Sequence, residues 1–148
     1  MANINILVGS VTGKALSAGS AIQEVFNGQG HHAQLFANAA IEQVTDEAVD
    51  VLLIVTSSTG QGDLPASLVP LYAQLQSEFP LIPNKKFAVV ALGDSSYSTF
   101  CQAGATMEEL MFELQGQALC DRFNIDACEH FNPLDAARGW ALDCVKRL

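Results

Sequence analysis

Basic residues are scarce in this chain: seven Lys and Arg stand against sixteen Asp and Glu, a formal charge of −9 at pH 7. Such a surface repels phosphodiester backbones, so nucleic acid is not an expected partner and basic proteins are. No apolar run approaches the roughly 20 residues that a membrane-crossing helix needs, and Met1 runs into Ile4–Val8 without the basic segment or cleavage site of a secretory leader. A cytoplasmic protein without membrane attachment is the expectation. The four cysteines, Cys101, Cys120, Cys128 and Cys144, include no Cys-x-x-Cys spacing. They read as reduced, mostly core thiols rather than disulfides or metal ligands. The three histidines, His31, His32 and His130, are too scattered to form a ligand set.

Several nucleotide signatures are missing as well. Gly9-Ser10-Val11-Thr12-Gly13-Lys14 is one residue short of the triphosphatase phosphate loop, and Ala15 stands where that loop needs a magnesium-binding Ser or Thr. Gly60-Gln61-Gly62 lacks the third glycine of a dinucleotide fingerprint. No acidic pair follows the first apolar run, and no nucleophile elbow is present.

What is present is alternation. Ile4–Val8, Val51–Val55 and Phe87–Leu92 are short apolar runs of the kind buried in a parallel sheet, and His31–Phe36 is a shorter strand followed by a polar connection. Between them, residues 14–27 place Ala18, Ile22, Val25 and Phe26 on one helical face, with Gly28 as a stop. Pro65 fits the first turn of a third-strand crossover helix that Pro70 delays or bends and that ends near Phe79. Met107, Leu110, Met111 and Leu114 predict a helix ending near Gly116, and Leu119–Ile125 reads as a polar edge strand. Asn132-Pro133 opens a last helix with Leu134, Ala137, Ala141, Cys144, Val145 and Leu148 on one face and Trp140 packing beside it. Five strands at crossover spacing predict one doubly wound α/β domain over residues 1–148, and the polar last strand is compatible with the order 2-1-3-4-5.

In that arrangement the loops after the first, third and fourth apolar strands emerge at one end of the sheet, where such folds hold ligands. All three are rich in Gly, Ser and Thr. Ser10, Val11, Thr12, Gly13, Lys14 and Ala15 open a helix, so hydroxyls and free amides there suit an anion. The other two loops are Thr56-Ser-Ser-Thr-Gly-Gln-Gly-Asp-Leu-Pro65 and Ala91-Leu-Gly-Asp-Ser-Ser-Tyr-Ser-Thr-Phe-Cys101, the second with a single aromatic hydroxyl, Tyr97.

With these two long motifs behind two buried strands, the chain resembles the flavodoxins across its 148 residues. It is most similar to the short single-domain type of MioC and YqcA, and similar also to the FMN domains of diflavin reductases. The resemblance implies a flavodoxin-like sheet and one non-covalent FMN. Its phosphate would sit in Ser10–Ala15, and its ring between Ser57, Ser58, Thr59 and Gly60 on one side and Leu92, Gly93, Asp94, Tyr97, Phe100 and Cys101 on the other. Tyr97 falls on the family's ring-stacking position. Thr59 stands where many relatives carry a second aromatic, and Lys14 either neutralises the phosphate or points into water. The resemblance also implies that the Thr59–Gly60 peptide turns toward the reduced flavin, which Gly60 eases because it lacks a Cβ.

The implied function is a low-potential carrier of single electrons between a basic-surfaced reductase and acceptor redox proteins, monomeric and without catalytic residues of its own. A carboxylate about 10 Å from the flavin contributes roughly 1.7 kcal/mol at an effective dielectric near 20, and Asp63 and Asp94, with Asp126 after the last strand a weaker one, are the candidates for that influence. The alternative is an NAD(P)H-dependent FMN or quinone reductase using the flavin face that Thr59 leaves uncovered.

Overall fold

The apolar runs form a single parallel sheet. The computed structural model describes residues 1–58, 62–94, 96, 101–128 and 132–148. In chain order the elements are β1 (Asn3–Gly9), α1 (Lys14–Gly28), β2 (His32–Phe36), α2 (Ile41–Thr45), β3 (Val51–Ser57), α3 (Val69–Glu78), β4 (Lys86–Gly93), α4 (Gln102–Glu113), β5 (Gln117–Ala118), β6 (Phe123–Asp126) and α5 (Pro133–Val145). The sheet runs β2-β1-β3-β4-β5, with β6 also pairing β4. The doubly wound 2-1-3-4-5 order is therefore present.

Both faces are buried, and strand alternation divides the core in two. Ile4, Ile6 and Val8 of β1, Leu53 and Val55 of β3, and Val90 of β4 pack with Ala18, Ile22 and Phe26 of α1 and Ala137, Ala141 and Cys144 of α5. The intervening residues Leu7, Leu52, Ile54, Phe87 and Val89 pack on the other face with Leu71 and Leu75 of α3 and Met107, Leu110 and Met111 of α4. Fully burying one such side chain contributes about 1.5–3 kcal/mol, so the three central strands carry most of the cohesion.

Three local expectations change. The polar connection after β2 contains α2, whose five residues are too few to show a helical period; Ile41 and Val44 bury, and Gln43 Oε1 accepts the Ala40 amide at 2.7 Å. Pro65 lies outside α3, in a turn whose carbonyl accepts Leu68 N–H at 2.9 Å. Pro70 instead occupies the first turn of α3, where a missing N–H costs no helical bond, and Phe79 ends the helix in the left-handed region at φ 48°. The edge strand is interrupted: Gln117 and Ala118 pair with Lys86 and Phe87, and Phe123–Asp126 pair with Val90–Gly93. Arg122, in between, bonds Glu108 of α4 at 2.8 Å and Asn124 at 3.1 Å, which takes this polar stretch off the sheet edge.

Candidate flavin site

Register brings the informative loops together. Gly9 pairs with Thr56, Thr56 with Ala91, and Ala91 with Asn124, so β1, β3, β4 and β6 end at one level of the sheet. With strands about 4.8 Å apart, these ends form a mouth on the order of 15 Å wide. The boundary between β1 and β3 is where the strand order reverses, and Gly9 sits on it. A Cβ at Gly9 would lie 2.4 Å from Leu68 Cδ1 and 2.9 Å from Thr56 Oγ1, so only glycine lets the loop depart there without displacing its neighbours.

The loop after β1 has the form an anion needs. Gly13, at φ 85°, precedes α1, and its amide donates to Ser10 Oγ at 2.9 Å. The amides of the first helical turn have no intrahelical acceptor, and Ser10, having accepted, keeps its own proton for an outside acceptor. Val11, Thr12 and Lys14 are exposed, while Ala15 is buried beneath the helix. Lys14 makes no ion pair among the described residues. The residues thus fit a phosphate monoester at this position.

After β3, Ser58 Oγ accepts the Ala103 amide at 3.0 Å, tying this loop to the first turn of α4. Ser57 half-emerges beside it, with its hydroxyl 3.5 Å from the Gly9 carbonyl. Thr59, Gly60, Tyr97 and Phe100 lie outside the described residues, so the stacking and peptide-turning expectations remain readings of the sequence. His130 lies outside them also.

After β4, Leu92 is buried, Gly93 is half-exposed and its carbonyl accepts Ala127 N–H at 2.8 Å. Cys101 caps α4 in the left-handed region at φ 54°, buried, with its thiol 3.5 Å from the Ala91 carbonyl. Burial pushes this thiol up to about 11, well above the range of a nucleophilic cysteine. Cys101 is therefore a buried, unreactive thiol at the start of α4.

Asp94 has more partners than its exposure suggests. It accepts the Cys128 thiol at 3.0 Å, and the Ser96 hydroxyl and amide at 2.6 and 2.9 Å. These bonds, the Cys128 thiol first, hold the Asp94 carboxyl down to about 2. Asp126, buried at the end of β6, accepts the Cys128 amide at 2.9 Å. The ligand-type atoms of Asp94, Asp126 and Cys128 lie within 4.8 Å of one another, and these hydrogen bonds join the β4 and β6 loops. Sequence reasoning read the four cysteines as mostly core thiols and gave Cys128 no role of its own, so it missed this link; the turn Asp126-Ala127-Cys128 directly after an edge strand was the available signal.

The Asp94 network sets a pH dependence. A folded carboxyl at about 2 against 3.8 unfolded stabilises the loop above pH 3.8, and that contribution disappears as pH falls toward 2. Cys128→Ala should move the Asp94 midpoint up toward 3.8, as read by carboxyl NMR titration. A midpoint that stays near 2 would show that Ser96 alone suffices.

Hydroxyls and amides for a phosphate at the order reversal, with loops from three further strands around one mouth, are how 2-1-3-4-5 sheets hold a flavin nucleotide. A model of the flavodoxin family matches residues 6–140, and the chain belongs to that family. Membership implies a flavin cofactor. Among its relatives, Flavodoxin YqcA of Pectobacterium carotovorum is 41% identical over 90% of this chain and 88% of its own length. Flavodoxin YqcA of Escherichia coli is 36% identical over 95% and 94%. Among solved structures, the C101S mutant of a Pseudomonas aeruginosa flavodoxin superposes with a TM-score of 0.92 at 32% identity, covering 99% of this chain and 98% of that one.

Proposed function

We propose that the chain is a cytoplasmic, monomeric, single-domain carrier that binds one FMN and passes single electrons between a basic-surfaced reductase and acceptor redox proteins. The observation that carries this is the open mouth at the ends of β1, β3, β4 and β6, which offers hydroxyls, amides and apolar walls. FMN, when bound, supplies one-electron chemistry that no side chain here could supply.

The chain's own residues bind and orient. Ser10, Thr12 and the first-turn amides of α1 hold the phosphate, with Lys14 adding charge. Ser57, Ser58 and the Thr59–Gly60 peptide would line one side of the ring and Leu92, Gly93, Asp94, Phe100, Cys101 and Tyr97 the other, with Tyr97 the stacking residue that the family motif implies. Asp94 stays ionised at neutral pH and lowers the affinity of the site for added negative charge, the direction required for a low potential. An excess of nine negative charges over the chain steers positively charged partners and makes electron exchange sensitive to salt.

FMN should quench on titration into the apoprotein, and the holoprotein mixed anaerobically with NADPH should keep its visible absorbance until a reductase is added. Rapid bleaching by NADPH alone would replace the carrier with an NAD(P)H-dependent FMN or quinone reductase. Tyr97→Ala should weaken FMN about tenfold, the value of one aromatic stacking contact, and shift the reduction potentials. Unchanged affinity and potentials would remove Tyr97 from the site.

A further inference from the structure

The connection between α3 and β4 is apolar where a surface turn is ordinarily polar. It reads Phe79-Pro80-Leu81-Ile82-Pro83, and only Ile82 is buried. Phe79 is 44% exposed and Leu81 53%. Phe79 also ends α3 at φ 48°, a conformation that glycine adopts freely and a residue with a Cβ rarely does. An aromatic there contributes nothing to stopping the helix that glycine would not do at lower cost. The segment is nevertheless held in place. Its two prolines fix φ, Ile82 N–H donates to the Leu114 carbonyl at 2.8 Å, and Gln117 Nε2 donates to the Pro83 carbonyl at 2.8 Å.

Beside this segment, at the N-terminal ends of β3 and β4, lies a cavity of about 520 Å³. Buried Val49 and Ile82 line it with exposed Leu81, and the exposed carboxylates of Glu47 and Asp50 stand at its edge. Asp46, next in the chain, adds a third carboxylate. The one cation of the lining, Lys85, already gives its ammonium to the Asp46 and Val49 carbonyls. Asp50 and Asp46 accept only backbone amides, of Asn3 and Ala48, and Glu47 makes no ion pair among the described residues. The cavity is thus apolar inside and negative outside. Strand β4 is eight residues long, which puts this pole roughly 23 Å from the flavin mouth.

We propose that this pole is a docking surface for a basic protein segment that presents an apolar side chain next to an arginine or lysine. The apolar side chain enters the cavity against Leu81, Val49 and Ile82, and the cation meets Glu47 and Asp50. Phe79, two residues before Leu81, extends the apolar contact beyond the cavity. Charge selects the occupant. A second copy of this chain brings a formal charge of −9 and the same acidic pole, and nucleic acid or an anionic membrane brings phosphates against these carboxylates. A cationic segment is complementary. Phe79 and Leu81, fixed before the partner arrives, lose little freedom on docking. None of these residues belongs to the flavin mouth, so the segment stays bound while the mouth remains open, and the surface does not depend on the identity of the cofactor.

The test uses the full-length chain with FMN added, labelled for amide NMR, and a soluble peptide of alternating leucine and arginine as the probe. Two comparison peptides separate the contributions, one of glycine and arginine with the same charge, the other of leucine and glutamine with the same apolar content. The Leu-Arg peptide should shift amides within residues 45–50 and 79–85, and each comparison peptide should bind at least about fivefold more weakly. Leu81→Ser and Glu47→Lys, both at exposed positions, should each weaken the Leu-Arg peptide about fivefold. Affinity should fall as ionic strength rises from about 0.01 to about 0.1 M, over which the Debye length contracts from about 30 to about 10 Å. FMN affinity should be unchanged at saturating peptide. Absence of binding, shifts confined to residues 10–15, 56–65 and 91–101, displacement of FMN, or equal affinity for the Gly-Arg peptide overturns the proposal. A dimer in sedimentation equilibrium that dissociates in Leu81→Ser gives the surface to a second copy and overturns it too. The map and the peptide comparison on the parent chain decide the matter whether or not either variant folds.

Discussion

Replacing Lys85 with methionine should lower the free energy of unfolding by about 3 kcal/mol. Lys85 is only 9% exposed, immediately before β4, and its ammonium donates to the Asp46 carbonyl and, at 2.7 Å, to the Val49 carbonyl. Burial lowers the Lys85 pKa, partly opposed by the charges of Asp46, Asp50 and Glu47, and its two hydrogen bonds hold the turn before β3. Methionine keeps the apolar stem and removes the donor. Hydrogen bonds to a charged group contribute about 1.5–3 kcal/mol each, and two sharing one ammonium fall short of their sum. The lost bonds are at the end of the sheet opposite the flavin mouth. Flavin affinity should therefore stay within about twofold of the parent while the urea midpoint falls. A loss below about 1 kcal/mol would mean that water takes over the two carbonyls.

Gly104→Ala should act at the other end, with a cost of about 2 kcal/mol and a coupled loss of flavin affinity. An added Cβ would sit 2.4 Å from Ala91 Cβ, an atom fixed to β4 that no rotamer can move. Helix α4 must therefore back away from the sheet. Its first turn carries Cys101, which caps it, and Ala103, whose amide holds Ser58. The displacement thus reaches two loops of the mouth, unlike the Lys85 change. For a chain this long the melting temperature should fall by about 2–4 °C per kcal/mol. A double-mutant cycle with Ala91→Gly, which removes the opposing Cβ, should recover part of the loss; strict additivity would place the damage elsewhere.

The strands β1, β3 and β4 were legible because a strand buried on both faces is apolar at nearly every position, a pattern no surface element shares. Helices α1, α4 and α5 declared themselves by three-four spacing and by stops or caps such as Asn132, whose Oδ1 accepts the Leu134 amide at 3.0 Å. Helix α2 was hidden by its length. The interrupted edge strand was hidden because Arg122 leaves the ladder for Glu108, fourteen residues away in the chain and on another element. The three loops of the candidate site were visible as local clusters of Gly, Ser and Thr. The wall made by Asp94 and Cys128 was not, since those residues are separated by a helix and two strands and meet only where β6 pairs with β4.

By itself the sequence determined the acidic net charge, by composition, and the alternating α/β pattern and the two long loop motifs that mark a flavodoxin, because those depend on residues adjacent in the chain. The tertiary structure alone decided the surroundings of each cysteine. Spacing presents four similar thiols; packing buries Cys101 and Cys144, leaves Cys120 half-buried, and hands Cys128 to Asp94. A thiol's character depends on burial, donors and charge within a few ångströms, and those neighbours are supplied by the fold from distant parts of the chain.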